Sequence, residues 1–235
     1  MLDGKVALVT GASRGIGKAI SDMLGAQGAT VIGTATTESG ADAISKRLAD
    51  AGVKGQGMCL NVSDDDSVDH VMKEIAEKYG AVTILVNNAG ITRDNLLMRM
   101  KTDEWDDVVN TNLSSVYRMS KACLRAMMKA KTGRIINIAS SSVKQPIPAL
   151  VLSNSVRAAT VGLTKTLALS ESVYSTPSIA AVGVACHEAG HAIQHATKYK
   201  ALGLRSALVP TANIGSNIGY FAMLIGLFIA SSGLV

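Results

Sequence analysis

Charge is scarce in this chain, and toward the C-terminus it vanishes. Charged residues make up 17% of the 235 positions against 48% hydrophobic ones, and none follows Arg205. A stretch without charge offers no solvated face. Residues 214–235, IGSNIGYFAMLIGLFIASSGLV, are therefore read as a membrane-seeking helix, about long enough for a ~30 Å hydrocarbon layer. A buried core helix is the alternative, kept open by the Gly and Ser residues. Lys198, Lys200 and Arg205 precede it and favour a cytoplasmic flank. Cysteine is sparse too: Cys59, Cys123 and Cys186 are odd in number and scattered. That excludes a disulfide framework and predicts reduced, mostly buried thiols. The net charge of +5 comes without a basic run or interleaved aromatics, which excludes nucleic acid as a partner. Met1-Leu2-Asp3-Gly4-Lys5 lacks a signal-peptide pattern, so the first part is expected to fold in the cytoplasm, with membrane association confined to the C-terminal segment.

What is present begins with a short apolar run, Lys5 to Thr10, leading into a glycine-rich turn. That pattern predicts a buried parallel strand. Helical spacing follows from Gly15 to about Leu24, then a strand from Ala29 to Thr34 and a helix through Ala41, Ile44 and Leu48. A third strand is expected at Gly57–Leu60. Ser63 is expected to cap a helix carrying Val68, Val71, Met72 and Ile75. Ile84-Leu85-Val86 reads as a fourth strand. Thr102 is expected to cap one long helix running through Trp105 to Met127, and Arg134–Ile138 as a fifth strand precedes a helix from Val156 to Leu169. This alternation demands right-handed parallel crossovers and a doubly wound, Rossmann-type α/β sheet. It ceases after Ser170. The expected organisation is therefore a domain over 1–169, C-terminally truncated, and an α-helical, membrane-associated tail over 170–235.

Gly11, Gly15 and Gly17 lie between a predicted strand and a predicted helix. Glycine there allows the tight turn, lets the backbone approach a phosphate and permits close helix–strand packing, while the helix N-terminus attracts the anion. With Asn87-Asn88-Ala89-Gly90 after the fourth strand, the pattern resembles the short-chain dehydrogenase/reductase family. Residues 91–100 and 111–116 narrow the resemblance to its branch that reduces 3-oxoacyl thioesters of acyl carrier protein in fatty acid synthesis. The resemblance implies NADP(H) as cofactor, held by Gly11, Ala12, Ser13, Arg14, Gly15, Ile16 and Gly17, with Asn61 and Val62 beside the adenine and Asn88, Ala89 and Gly90 along the cofactor. The second strand ends without the acidic residue that would bind a ribose 2′-hydroxyl, so Arg14 and Thr36 are candidates to meet a 2′-phosphate. A solvated surface charge is the other reading of Arg14. The resemblance further implies acyl carrier protein thioesters as partners and a homo-oligomer paired through the long helices.

The family's catalytic set is a Ser, a Tyr, a Lys and an Asn. Asn112 and Ser140 match. Thirteen and seventeen residues after that serine, where Tyr and Lys are expected, stand Ser153 and Arg157. The segment from Ser141 to Arg157 resembles a divergent branch of the superfamily without the Tyr/Lys pair. A serine hydroxyl is a poor proton donor and arginine does not relay protons. Weak or absent reductase turnover follows.

Near the end, His187-Glu188-Ala189-Gly190-His191 places two imidazoles four residues apart, on one helical face, with a carboxylate between them. His187 and His191 are zinc-ligand candidates and Glu188 a candidate general base; packed histidines are the bland alternative. From about Leu167 to Val235 the chain resembles bacterial membrane zinc metallopeptidases. A catalytic zinc usually has three protein ligands. The third is expected beyond the second apolar span, and peptidase activity is not expected here. The leading expectation is a short-chain reductase fold carrying a peptidase-derived tail. A zinc peptidase with a passive N-terminal partner and a non-catalytic nucleotide-binding module are the alternatives.

Overall fold

The computed structural model describes residues 1–169. Five strands, β1 (Val6–Val9), β2 (Thr30–Ala35), β3 (Gly55–Cys59), β4 (Ile84–Asn87) and β5 (Arg134–Asn137), form one parallel sheet in the order β3-β2-β1-β4-β5. Six α-helices connect and follow them: α1 (Gly15–Ala26), α2 (Glu38–Asp50), α3 (Asp65–Tyr79), α4 (Thr102–Val109), α5 (Ser115–Lys129) and α6 (Val151–Leu169). The expected doubly wound sheet is what forms, with strand boundaries within two residues of those read from the pattern.

Every residue of β1 is buried, because helices cover both faces, as parallel sheets require. The alternation of a strand divides these residues between two cores. Val6 and Leu8 join Val71 and Ile75 of α3 and Met119 and Cys123 of α5. Ala7 and Val9 join Ile44 and Leu48 of α2, with Ile20 and Leu24 of α1 packed alongside. A third, smaller cluster of Val108, Leu152 and Val156 ties α4 to α6.

Three helix starts differ from expectation, and the last helix, expected from Val156, begins five residues earlier at Val151. Asp64 rather than Ser63 caps α3: its carboxylate accepts from the N–H of Asp66 at 3.0 Å and of Ser67 at 3.3 Å. Ser63 is drawn away, its N–H donating to Asn61 Oδ1 and its hydroxyl pairing with Thr111. Thr102 is already helical, and Lys101 occupies the cap position, its N–H donating to the Glu104 carboxylate at 2.9 Å. The long helix expected from Thr102 to Met127 is also interrupted. Between α4 and α5 the backbone opens into a π turn, Asn110–Ser114, a local widening often found at functional sites. No described helix is long and apolar enough to cross a membrane; residues 214–235 lie outside the described residues.

The order of the strands places the site. β1 sits between β2 and β4, so connections leave it in opposite directions and a crevice opens beyond the C-terminal ends of β1 and β4. The glycine turn follows β1, and Asn88-Ala89-Gly90 follows β4.

Candidate cofactor and catalytic site

The turn from Thr10 to Arg14 is held from three sides. The Thr10 hydroxyl oxygen accepts from the N–H groups of Asn88 at 3.0 Å and Ala89 at 2.9 Å, and its own proton goes to the Val86 carbonyl. Asn88 returns the favour through Nδ2, which donates to the carbonyls of Thr10 at 2.9 Å and Gly11 at 3.0 Å. From β2, Thr34 accepts the Gly11 N–H on its hydroxyl and the Ala12 N–H on its carbonyl. Arg47 of α2 donates from Nη2 to the Ala12 carbonyl at 3.1 Å, while its Nη1 lies 3.3 Å from Asp22 Oδ1 as an ion pair outside hydrogen-bond geometry. The loop is thereby fixed before any ligand arrives.

Gly11 and Gly15 have φ of +66° and +57°, the left-handed region that glycine enters without strain. Gly17 has a different reason to lack a side chain. A Cβ there would collide with the Gly11 carbonyl oxygen and with Asn88 Nδ2. α1 starts at this turn with neither a side-chain cap nor an acidic residue in its first turn, whereas Thr37 caps α2 and Asp64 caps α3. Ser13, Arg14, Gly15 and Ile16 are exposed, and Ala12 and Gly17 are buried. A preformed turn with uncapped N–H groups and a helix dipole behind it fits the diphosphate of a dinucleotide. Arg14 is exposed and pairs with no carboxylate among the described residues. Thr36 is exposed directly after β2, and Asn61 is exposed after β3. Val62 differs from its neighbours: its side chain is in the α3/α5 core, so only its backbone is available to an adenine. Thr10, Thr34 and Arg47 are the residues that pattern reading missed here. The threonine closing a strand before a glycine turn was a signal for the first; the other two come from elements distant in sequence.

On the other side of the crevice, Asn112 sits buried in the π turn. Its Oδ1 accepts from the Ile91 N–H and its Nδ2 donates to the Ile91 carbonyl, each at 2.8 Å. The side chain thus mimics a strand partner and clamps the loop that carries Gly90. A Cβ on Gly90 would lie 3.1 Å from Asn112 Oδ1 and 3.5 Å from Arg157 Nη2. Gly90, Asn112 and Arg157 therefore meet at one point, although they come from three elements. Arg157 is half-buried on α6 and donates from Nη1 to the Ile138 carbonyl. Burial holds its guanidinium below the ordinary arginine pKa.

Ser140 precedes a short 3-10 turn, Ser141–Val143, and its hydroxyl oxygen accepts from the Ser142 N–H at 3.2 Å. α6 packs on that turn and on the π turn. Ser153 lies in the first turn of α6, half-buried, one helical turn before Arg157, and its hydroxyl has no partner among the described residues. Beneath these groups runs a buried polar chain. Asn87 Nδ2 donates to Asn137 Oδ1 at 2.8 Å, and Asn137 Nδ2 donates to the Thr164 hydroxyl at 2.8 Å, which donates to the Thr160 carbonyl. It links β4, β5 and α6, and so sets the height of α6 above the strand ends.

A Rossmann-type sheet with a glycine turn after β1 and an Asn-rich turn after β4 defines a dinucleotide-dependent dehydrogenase fold. The chain belongs to the short chain dehydrogenase family, whose model matches residues 5–196. It is 56% identical over 167 residues to 3-oxoacyl-(acyl-carrier-protein) reductase FabG of Vibrio harveyi, covering 71% of this chain and 67% of that one. The same reductase of Escherichia coli K12 is 62% identical over 138 residues, covering 59% and 55%, and that of Pseudomonas aeruginosa is 63% identical over 139 residues, covering 59% and 56%. The chain spans between about half and two thirds of the length of these relatives. A second family, of neutral zinc metallopeptidases, matches residues 162–235 and overlaps the first. His187, Glu188 and His191 fall in that match and lie outside the described residues. Among the described residues no cluster of His, Cys, Asp or Glu is arranged for a metal.

Proposed function

We propose that this chain is an NADPH-binding short-chain reductase domain whose turnover of 3-oxoacyl thioesters is weak or absent. The cofactor half supports binding: Gly11, Gly15 and Gly17 form the phosphate turn, and Arg14 and Thr36 meet a 2′-phosphate after a second strand that does not end in an acid. A bound nicotinamide supplies the hydride. The chain's own task is then to orient a carbonyl and to protonate the oxygen that the hydride leaves negative. Ser140 serves the first task, and Asn112 holds the loop that carries Gly90. The reading turns on the second task, because Ser153 and Arg157 stand thirteen and seventeen residues after Ser140, the offsets at which the resemblance implies a tyrosine proton donor and its lysine. An alkyl hydroxyl holds its proton too tightly, and a guanidinium does not release one near neutral pH.

The test is to titrate NADPH by fluorescence and follow its consumption with an acetoacetyl thioester. NADPH binding with negligible turnover is expected. The double variant Ser153→Tyr, Arg157→Lys should raise the rate by about a hundredfold or more, the usual worth of a positioned general acid. Wild-type turnover at rates ordinary for reductases overturns the proposal. Self-association belongs to the same reading, because Tyr117 and Met128 of α5 are exposed along its outer face, with Lys121 5.6 Å from the Tyr117 ring centroid. Light scattering of purified protein should show more than a monomer.

The match over residues 162–235 favours a second reading, in which His187 and His191 bind zinc and Glu188 stands beside its water. Stoichiometric zinc lost on His187→Ala supports it, and chelator-sensitive peptide cleavage would raise it above the first.

A further inference from the structure

Among the described residues, Arg157 is a cation without a counter-ion. The ion pairs of the described residues involve Met1, Lys18, Arg47, Lys78, Arg93 and Arg118, and none reaches α6. Burial alone acts on its pKa, so no carboxylate of the described chain stands near enough to offset the charge. Among the described residues its hydrogen bond is from Nη1 to the Ile138 carbonyl, which anchors one edge of the guanidinium. Nη2 is left facing Gly90, 3.5 Å from where a Cβ would be. Asn112, bonded to Ile91 through both polar atoms, is neutral and brings no counter-charge. A half-buried, unpaired guanidinium is costly, and a planar anion recovers that cost through charge-assisted bonds.

The neighbouring hydroxyls have the same polarity. Ser153 is one helical turn before Arg157 on the same face of α6, with no partner among the described residues. Ser140 uses its oxygen as an acceptor and keeps its proton to donate. Serine also fills far less volume than a tyrosine would at position 153. Among the described residues, this end of the crevice therefore presents donors and positive charge.

We propose that Arg157 and Ser153 form a receptor for the carboxylate of a small organic acid, held beside Gly90 next to the bound cofactor. The inference rests on the reading that NADPH occupies the crevice, and it assigns the site an acid where the relatives named above are reductases of a thioester. Recognition is by a guanidinium edge and a hydroxyl, so an uncharged ester of the same acid is refused.

The test titrates 3-oxobutanoate and its methyl ester into the full-length chain, with and without NADPH, by calorimetry. The acid is expected to bind at least tenfold more tightly than the ester, with Arg157→Met abolishing the preference and Arg157→Lys keeping part of it. Equal affinity for acid and ester in the wild-type protein overturns the proposal without need of any variant. A preference that survives in a folded Arg157→Met overturns it as well, as does a loss in that variant confined to NADPH affinity, which would assign the guanidinium to the cofactor. Should NADPH itself fail to bind, the cofactor reading falls, and the cofactor-free titration decides the carboxylate site by the same criterion.

Discussion

Adding a single methyl group at Gly17 tests whether the phosphate turn and the Asn88 clamp are one unit. The new Cβ would run into the Gly11 carbonyl oxygen and Asn88 Nδ2, so either the turn lifts or Asn88 leaves. If Asn88 leaves, its bonds to the Thr10 and Gly11 carbonyls at 2.9 and 3.0 Å are lost, at about 1 kcal/mol each. Overpacking against backbone adds roughly 1–3 kcal/mol, and the better helix propensity of alanine returns about 1 kcal/mol. The net is a destabilisation of about 2–4 kcal/mol, or a melting point lower by roughly 5–15 °C for a domain of this size. NADPH affinity should fall with it. Gly15→Ala is the control. No atom lies within 4 Å of a Cβ there, so only the left-handed φ of +57° is penalised, at about 1–2 kcal/mol. A thermal melt by circular dichroism and a fluorescence titration of NADPH measure both variants. If Gly17→Ala melts as high as Gly15→Ala and binds NADPH like wild type, the clamp described here is wrong.

Three further outcomes are expected. Thr10→Val keeps the shape but leaves the Asn88 and Ala89 N–H groups without their acceptor, costing about 2 kcal/mol in urea unfolding, and an unchanged midpoint would refute that role. Gly162→Ala on α6 meets nothing within 4 Å and should stabilise the fold by about 0.5–1 kcal/mol; a lower melting point would place unseen packing there. Burial pushes the Cys123 thiol up to about 12. Above the ordinary thiol pKa the unfolded chain binds fewer protons than the folded one, so this contribution is constant below that value and stability declines as pH rises toward 12. Consistently, a disulfide reagent at about pH 8 should modify Cys123 only on unfolding, and labelling at the rate of a free thiol would contradict its burial.

Much of the fold and part of the site were legible beforehand, and the division follows the range of the interactions. Strand and helix positions depend on periodicity within a few residues, and so β1 to β5 came out in place. The glycine turn and Asn88–Gly90 were readable because each sits at a fixed offset from a recognisable strand. Helix starts were less secure where two candidate caps stood side by side, as at Ser63 and Asp64. The π turn was invisible, because partners that hold it, such as Ile91 bonded to Asn112, lie far along the chain, here twenty-one positions away.

Local chemistry along the chain determined that there would be an alternating α/β sheet and a glycine turn after its first strand. Backbone preference and hydrophobic period are properties of short segments, so they survive being read one residue after another. Only the tertiary structure decided that Thr34 and Arg47 brace the turn, that Val62 belongs to the core, and that Arg157 meets Gly90 with no counter-ion among the described residues. Those facts depend on which elements the sheet order brings side by side, and electrostatics and steric overlap act through space rather than along the chain.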